Sequence, residues 1–572
     1  MIKTIKKETV YNIILILLTV GAVLANIKNA IVNYNVDTEY AVALSYRLVR
    51  GDSMFTQMWE AHQTSAFLSA FFIQLYLWIF GTTTGITLFL NFVGTGIKAL
   101  VTLFLYRTLR DHVDKRVLWL VCLFFFTVNP KNVHLPDFSN MQLWFSVLLF
   151  GMLLRFFQNQ TQKRWLLLGS VALSLEVLSY PSCLIVYVGA AVLLWVYSEE
   201  KWKDLLIFSG GCFVNGLLYV GYFVLQIGFD GLIEGVQNIM TSDSFHANSP
   251  LERWMEYLAE FGQVILLLAE CGLIALGISR LIARVRRGKS EIVEPKRYYL
   301  FLFLTVLCGY HFFSTVSVGD KYMYLSLFIA VILCGWWSLK ACNEKEKMIY
   351  IIGATLSACA LVATLLLTNL SFLSSVAYMV LGVAASFVPI CRYLEEKGPG
   401  FKKLWPGVVV ILFCAVTVFR SGYLIQATHN RNNSVFDLLE APKIVQYGPS
   451  KGVVTDYFGG YVINETYLEW PEYVKPGDRI LLVGIELLST IGYLNEDTEI
   501  SAASTICTPT YDEKLLKYWE ANPQKYPNVI IVSCWDGELK VGEDTWIMQW
   551  IENEFDADEV NDGAYWRYYR KN

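Results

Sequence analysis

Charge is the scarcest commodity in this 572-residue chain. Lys, Arg, Asp and Glu make up 17 % of it, while 55 % is hydrophobic and 15 % aromatic. A soluble domain carries about 25 % charged residues. Mean hydropathy is +0.42. The few charges are segregated, leaving many runs of roughly 17–23 residues long enough to cross a hydrocarbon core as helices. Metal and nucleotide signatures are missing as well. The 12 cysteines show no CxxC and no Cys/His ligand spacing. Most, such as Cys122, Cys183, Cys212 and Cys334, sit singly in apolar runs, where cysteine acts as a small hydrophobe. There is no GxxxxGK[ST] and no GxSxG. Gly94-Thr95-Gly96 lies inside an apolar run with no strand-turn-helix setting, which makes it packing glycine. No small-residue cleavage site follows the basic MIKTIKKETV, so the first helix reads as uncleaved. Internal repeats and low-complexity linkers are lacking too.

What is present is a polytopic α-helical membrane protein with an acidic tail. From Ser421 onward about 24 acids face about 12 bases, so the remainder of the chain is net basic. An acidic tail disfavours nucleic acid as a partner. Basic segments at 3–7, 107–116, 163–164, 280–297 and 392–403 mark cytoplasmic loops. With both the N-terminus and 107–116 inside, an even number of crossings must separate them, yet three apolar segments intervene: 11–32, 66–80 and 86–106. The middle one is the shortest and reads as a dip that does not cross. Further spans are expected near 117–131, 141–157, 165–180, 182–198, 205–227, 262–282, 298–316, 322–339, 348–368, 374–391 and 404–421. The short pair 165–180 and 182–198, meeting at Tyr180-Pro181, reads equally as a re-entrant pair. The sum is about 13 spans, N-terminus inside and C-terminus outside, in a multi-pass cell-membrane protein. Residues 1–421 form the membrane domain, with 33–85 as its first external loop.

Residues 422–572 read as a small extracytoplasmic α/β domain. GVVTDYF, RILLVGI and NVIIVSC are β-branched runs preceded by turn residues, whereas DEKLLKYWEA and WIMQWIENEF have helical spacing. Cys507 and Cys534 in this tail are free to pair or not.

The stretch NYNVDTEYAVALSYRLVRGDSMF follows the first span directly. Asp37 suits the cap of a helix from Thr38 to about Arg50, with Gly51 ending it. Tyr40, Leu44 and Leu48 make an apolar stripe, and Arg47 and Arg50 can snorkel, so the helix is expected along the outer membrane surface. His62, His134 and His311 have no ligand spacing. Glu176, inside an apolar span, is costly to bury and is expected near the cytoplasmic end of a lipid path.

An acid pair after the first span, then Tyr, Arg-Leu, Gly-Asp and an acid-x-His step into an apolar helix, resembles the GT-C class of membrane glycosyltransferases. The matching residues are Asp37, Glu39, Tyr40, Arg47, Leu48, Gly51, Asp52, Glu60 and His62. Where that class commonly continues His-Pro-Pro-Leu, this chain has His62-Gln63-Thr64-Ser65. Asp137 in NVHLPDFSN matches a second external acid, and Lys321-Tyr322 matches a basic-Tyr step before a late span. The resemblance implies inverting transfer of a sugar from a polyprenyl-phosphate carrier, a membrane lipid, to an extracytoplasmic glycan, lipid or protein acceptor. It makes Asp37 the base with Glu39 beside it, Asp137, Glu60 and His62 acceptor-side or supporting groups, and Lys321 with Tyr322 the partners of the donor phosphate. Glu39 and Asp137 are also the residues that could share a divalent cation. The chemistry suits these types: a phosphate leaving group needs no acid, but the acceptor hydroxyl needs a carboxylate and the phosphate needs a cation.

Two other classes compete. A transporter or flippase of polyprenyl-linked glycans would explain broken helices, but predicts repeats and midplane charges. A non-catalytic envelope assembly protein would use the tail as a binding module. Sugar identity, acceptor identity and oligomeric state are not written in the sequence.

Overall fold

The structure is a computed structural model that describes residues 7–32, 36–242, 250–286, 299–300, 302–310, 322–367, 374–396, 443–455, 457–484, 492–494, 497–505, 511–535 and 537–571. Eight helices among them are long and apolar enough to cross a membrane, as expected of a multi-pass protein. The expected span 404–421, and with it Lys321, His311 and Cys507, lies outside the described residues, while Cys534 is a buried free thiol.

The membrane part begins with α1 (Lys7–Val32), α2 (Val36–Val49), α3 (Ala66–Phe80) and α4 (Ile86–Leu109). It continues with α5 (Lys115–Thr127), α6 (Phe138–Gln158), α7 (Arg164–Ser179) and α8 (Leu184–Tyr197). The run read as ending at residue 131 stops earlier, at Thr127, because Pro130 disfavours helix just before it. At Tyr180 and Pro181 a short turn splits α7 from α8. Next come α9 (Lys201–Ser242), broken at Gly228, and α10 (Pro250–Arg286). The segment 228–261, read as an external loop, is thus largely helical in its described part. Helices Tyr322–Ser338, Glu344–Leu367 and Val380–Glu396 complete this part. Buried Phe, Leu and Val of α5, α6 and the two last helices fill one continuous core.

Both ends of α3 are fixed by hydrogen bonds to other parts of the chain. At its start, Ser69 donates to the Pro136 carbonyl (2.6 Å) and the preceding Thr64 donates to Leu178 at the end of α7. After its end, the Gly85 amide donates to Gly448 (3.0 Å) and Thr83 donates to Leu494 (3.1 Å), both in the C-terminal domain. With its leading turn, the helix reaches 18 residues.

The C-terminal domain carries strands β1 (Lys443–Ile444) and β2 (Val454–Thr455), paired antiparallel. A mixed sheet follows, made of β3 (Arg479–Val483), β4 (Glu499–Ile500), β5 (Val529–Trp535), β6 (Glu538–Leu539), β7 (Glu559–Asp562) and β8 (Trp566–Arg570). Its order is β4-β3-β5-β8-β7, with β6 on β5. β3 runs parallel to β4 and β5, while β8 is antiparallel to β5 and β7. β3 and β5 read as continuous apolar runs because both are buried. The expected helices appear as Lys514–Ala521 and Trp546–Trp550.

The helix α2 is enclosed along its whole length between 38 and 47. Residues 38–47 are all buried, since Tyr40, Ala41, Val42, Ala43, Leu44 and Tyr46 make it apolar on every side. Tyr40 and Leu44 join the bundle core. Ala41, Val42, Ala43 and Tyr46 join a second core shared with the C-terminal domain. Gly51 does end the region, adopting a φ of 97° that residues with a side chain avoid.

Candidate functional site

Two polar clusters occupy opposite ends of α2. At the N-terminal end, Asp37 sits inside the first turn of a helix that begins at Val36, so it does not cap the helix as the sequence suggested. Its carboxylate accepts from the Lys131 ammonium at 2.9 Å, with both groups only partly buried. Lys131 lies in the Pro130–Asn132 turn with a φ of 52°, a left-handed conformation uncommon for a residue with a side chain. A buried Lys98 on α4 braces this turn by donating to the Val128 carbonyl and to Asn129 Oδ1. His134 packs so closely on α4 that a Cβ at Gly94 would stand 1.9 Å from its carbonyl oxygen, which explains the packing glycine. Burial, reinforced by the Lys98 and Lys28 charges, lowers the His134 pKa to about 3, so it stays neutral.

Lys131 also stands 4.6 Å from the Phe138 ring, a cation–π contact. His62 stacks on Phe138 at 4.0 Å and on Tyr180 at 5.0 Å. Asp137, the N-cap of α6, accepts from the Asn140 amide (2.9 Å) and from Ser139 Oγ (2.5 Å). Burial raises its pKa and the Asp37 charge adds to this, while the Ser139 and Asn140 bonds and Lys131 oppose it. The structure thus brings Asp37, Asp137 and His62 together, and adds Lys131, Phe138 and Tyr180. Glu39 lies fully buried in the first turn of α2. Among the described residues no group of three or more His, Cys, Asp or Glu side chains is placed to hold a metal ion.

At the C-terminal end of α2, Arg47 is a buried hub and not a snorkelling residue. It donates to Asp52 (2.5 Å), the Gln57 carbonyl (2.5 Å), the Tyr518 hydroxyl (2.8 Å) and the Ala503 carbonyl (3.3 Å). Glu60 belongs to this network: it accepts from the Thr505 amide (3.0 Å) and hydroxyl (3.2 Å) and lies 3.6 Å from Arg47. Burial raises the Glu60 pKa, which Arg47, Tyr40 and Thr505 oppose. Lys525 closes the set on Asp52 at 2.7 Å. Arg47, Asp52 and Glu60 therefore tie α2 and the segment after it to the C-terminal domain. Glu60 meets α2 near both ends, facing Arg47 and bonded by the Tyr40 hydroxyl.

Glu176 lies three residues before the end of α7, by the Thr64 turn, and accepts from Ser146 Oγ (2.5 Å). It lies four residues before Tyr180, which stacks on His62 near the Asp37 end of the bundle. Tyr322 begins its helix, while Lys321, matched with it in the sequence, lies outside the described residues. Lys131 was hidden in the sequence because it directly follows an apolar run; Asn129-Pro130 was the available sign that it sits in a turn.

No protein-family model matches the chain, and no curated protein sequence matches it. Among solved structures it is similar to the Archaeoglobus fulgidus oligosaccharyltransferase tethered with an acceptor peptide containing the NVT sequon. That similarity has a TM-score of 0.44 and 12 % identity over 92 % of this chain and 69 % of the other. The archaeal oligosaccharyltransferase AglB from Archaeoglobus fulgidus, in complex with an inhibitory peptide and a dolichol-phosphate, gives a TM-score of 0.44 and 11 % identity over 92 % and 70 %. ArnT from Cupriavidus metallidurans in the apo state gives 0.42 and 10 % over 97 % of each chain.

Proposed function

We propose that the chain is a membrane glycosyltransferase of the GT-C type, moving a sugar with inversion from a polyprenyl-phosphate carrier to an extracytoplasmic acceptor. The observation that carries this reading is the Asp37–Lys131 pair, set at one end of the bundle beside Asp137 and the Phe138–His62–Tyr180 stack. In the proposed reaction the acceptor oxygen attacks the anomeric carbon, whose bond to the phosphate oxygen breaks. The hydroxyl proton passes to Asp37, and the carrier leaves as polyprenyl phosphate. Lys131 pairs with Asp37 at 2.9 Å and fixes the position of its carboxylate. Lys321, by its motif, and Lys131, by its position, are the cations proposed to meet the charge growing on the phosphate. Buried Glu39 and the capped Asp137 hold the first turn of α2 and the start of α6 in place around the reacting groups.

The test is release of labelled sugar from polyprenyl-phosphate donors by the purified full chain. Donor cleavage that depends on Asp37 and on an added acceptor supports the reading. A chain that binds such donors and translocates them unchanged would favour the transporter class instead.

A further inference from the structure

A cavity of about 350 Å³ opens at the far end of α2, between that helix, the loop after it and the C-terminal domain. It lies apart from the Asp37 cluster: Arg50 follows Asp37 by 13 residues, about 20 Å along a helix. Its walls include Arg47, Arg50, Asp52, Arg479, Glu499 and Lys525, four cations against two carboxylates. Two of the cations are already engaged. Arg47 directs its nitrogens to Asp52, Gln57, Tyr518 and Ala503, and Lys525 pairs with Asp52 and Glu499 (3.3 Å). Glu60, behind Arg47, offsets its charge further.

The other two cations face the cavity with donors to spare. Arg479 spends only Nε, on the Tyr526 carbonyl at 2.6 Å, and its two terminal nitrogens have no partner among the described residues. Arg50 is exposed and its guanidinium makes no hydrogen bond or ion pair among the described residues. The cavity is therefore a locally cationic hollow in an acidic tail domain, where the field favours a small anion. Two guanidinium forks suit the oxygens of a phosphate better than a single carboxylate. Gln57, Thr498 and Gln524 on the same walls offer neutral polar groups to hydroxyls.

We propose that this cavity binds a phosphate ester carrying a small hydroxylated group, held by Arg50 and Arg479. The ester could be a soluble sugar phosphate or the glycerophosphate headgroup of a lipid, and both present the same chemistry. The test uses the purified full chain in detergent, titrated with glucose 6-phosphate and with glucose, and separately in nanodiscs of phosphatidylglycerol or phosphatidylcholine. Saturable binding of glucose 6-phosphate but not glucose is expected if the source is soluble. Stabilisation by phosphatidylglycerol alone assigns the cavity to the headgroup. In either arm Arg50→Gln or Arg479→Gln should weaken binding about tenfold to a hundredfold, the worth of a charged hydrogen bond. Arg110→Gln, at an exposed arginine elsewhere, should leave it unchanged. Absence of binding in both arms, or binding that survives the Arg50→Gln/Arg479→Gln double variant, would overturn the proposal.

Discussion

Replacing Arg47 with Met should uncouple the C-terminal domain from the bundle more than any other single change. Met preserves the stem but removes every guanidinium bond to Asp52, Gln57, Ala503 and Tyr518. Asp52 keeps Lys525 as a counter-ion at 2.7 Å, so the damage falls on Glu60, which retains its Thr505 bonds but loses its cation. Removing one partner from a buried ionic network costs about 3–5 kcal/mol. The pH dependence has a definite sign. Burial already raises the Glu60 pKa above its ordinary value, and losing Arg47 raises it further. Glu60 then favours the folded state below its unfolded pKa and loses that contribution as pH rises through the folded value. The variant should therefore be weakest at the alkaline end. Denaturant unfolding of wild type, Arg47→Met, Glu60→Gln and the double variant gives the coupling directly. The double variant should recover at least 1 kcal/mol relative to additivity, within the range for residues in one network. Additive losses, or an Arg47→Met variant as stable as wild type, would refute the hub.

Three further outcomes are expected. Asp478, bound by Arg570 (2.6 and 3.0 Å), Asn528 and the Lys475 amide, is held below its usual pKa by these partners despite its burial. Its contribution is present above the unfolded value and disappears as pH falls through the folded one, so the tail domain should loosen below about pH 4; Asp478→Asn should cost about 1.5–3 kcal/mol at neutral pH, and an unchanged acid midpoint in that variant would count against the pair. Lys98→Met removes the brace on the Lys131 turn and should lower transfer about a hundredfold through misplacement, with unfolding unchanged; loss of fold together with activity would show a packing role instead. A thiol probe at Thr82→Cys should react from the same side of the membrane as one at exposed Glu552→Cys, whereas labelling from opposite sides would mean that α3 crosses.

The course of the chain was legible wherever one physical rule dominated. Apolar length marked the long helices, and the β-branched runs at 479–483 and 529–535 marked the buried strands of the tail. The charge-rich β7 and the aromatic β8 escaped notice because WRYYR alternates against neighbouring strands that only the fold supplies. Asp37, Asp137 and His62, singled out in the sequence by resemblance, lie near one another in the fold, but Lys131 was not singled out with them. Lys131 meets Asp37 across 94 residues, through a turn whose conformation depends on Lys98 from a third helix. The snorkelling expected on α2 failed for the opposite reason. Its Arg47 looked like a headgroup residue because the domain that buries it arrives more than 450 residues later in the chain.

The central claim is that Asp37 accepts the acceptor's proton. Asp37→Asn keeps the shape and a hydrogen bond to Lys131 but cannot take up that proton. The direct measurement is transfer of labelled sugar from polyprenyl phosphate by the purified Asp37→Asn chain, with donor binding and unfolding followed in the same sample. A fall of about 10²–10⁴-fold in transfer, with donor binding and fold intact, is predicted. Full transfer activity in the variant would contradict the account and leave Asp37 as a residue of the helix terminus alone.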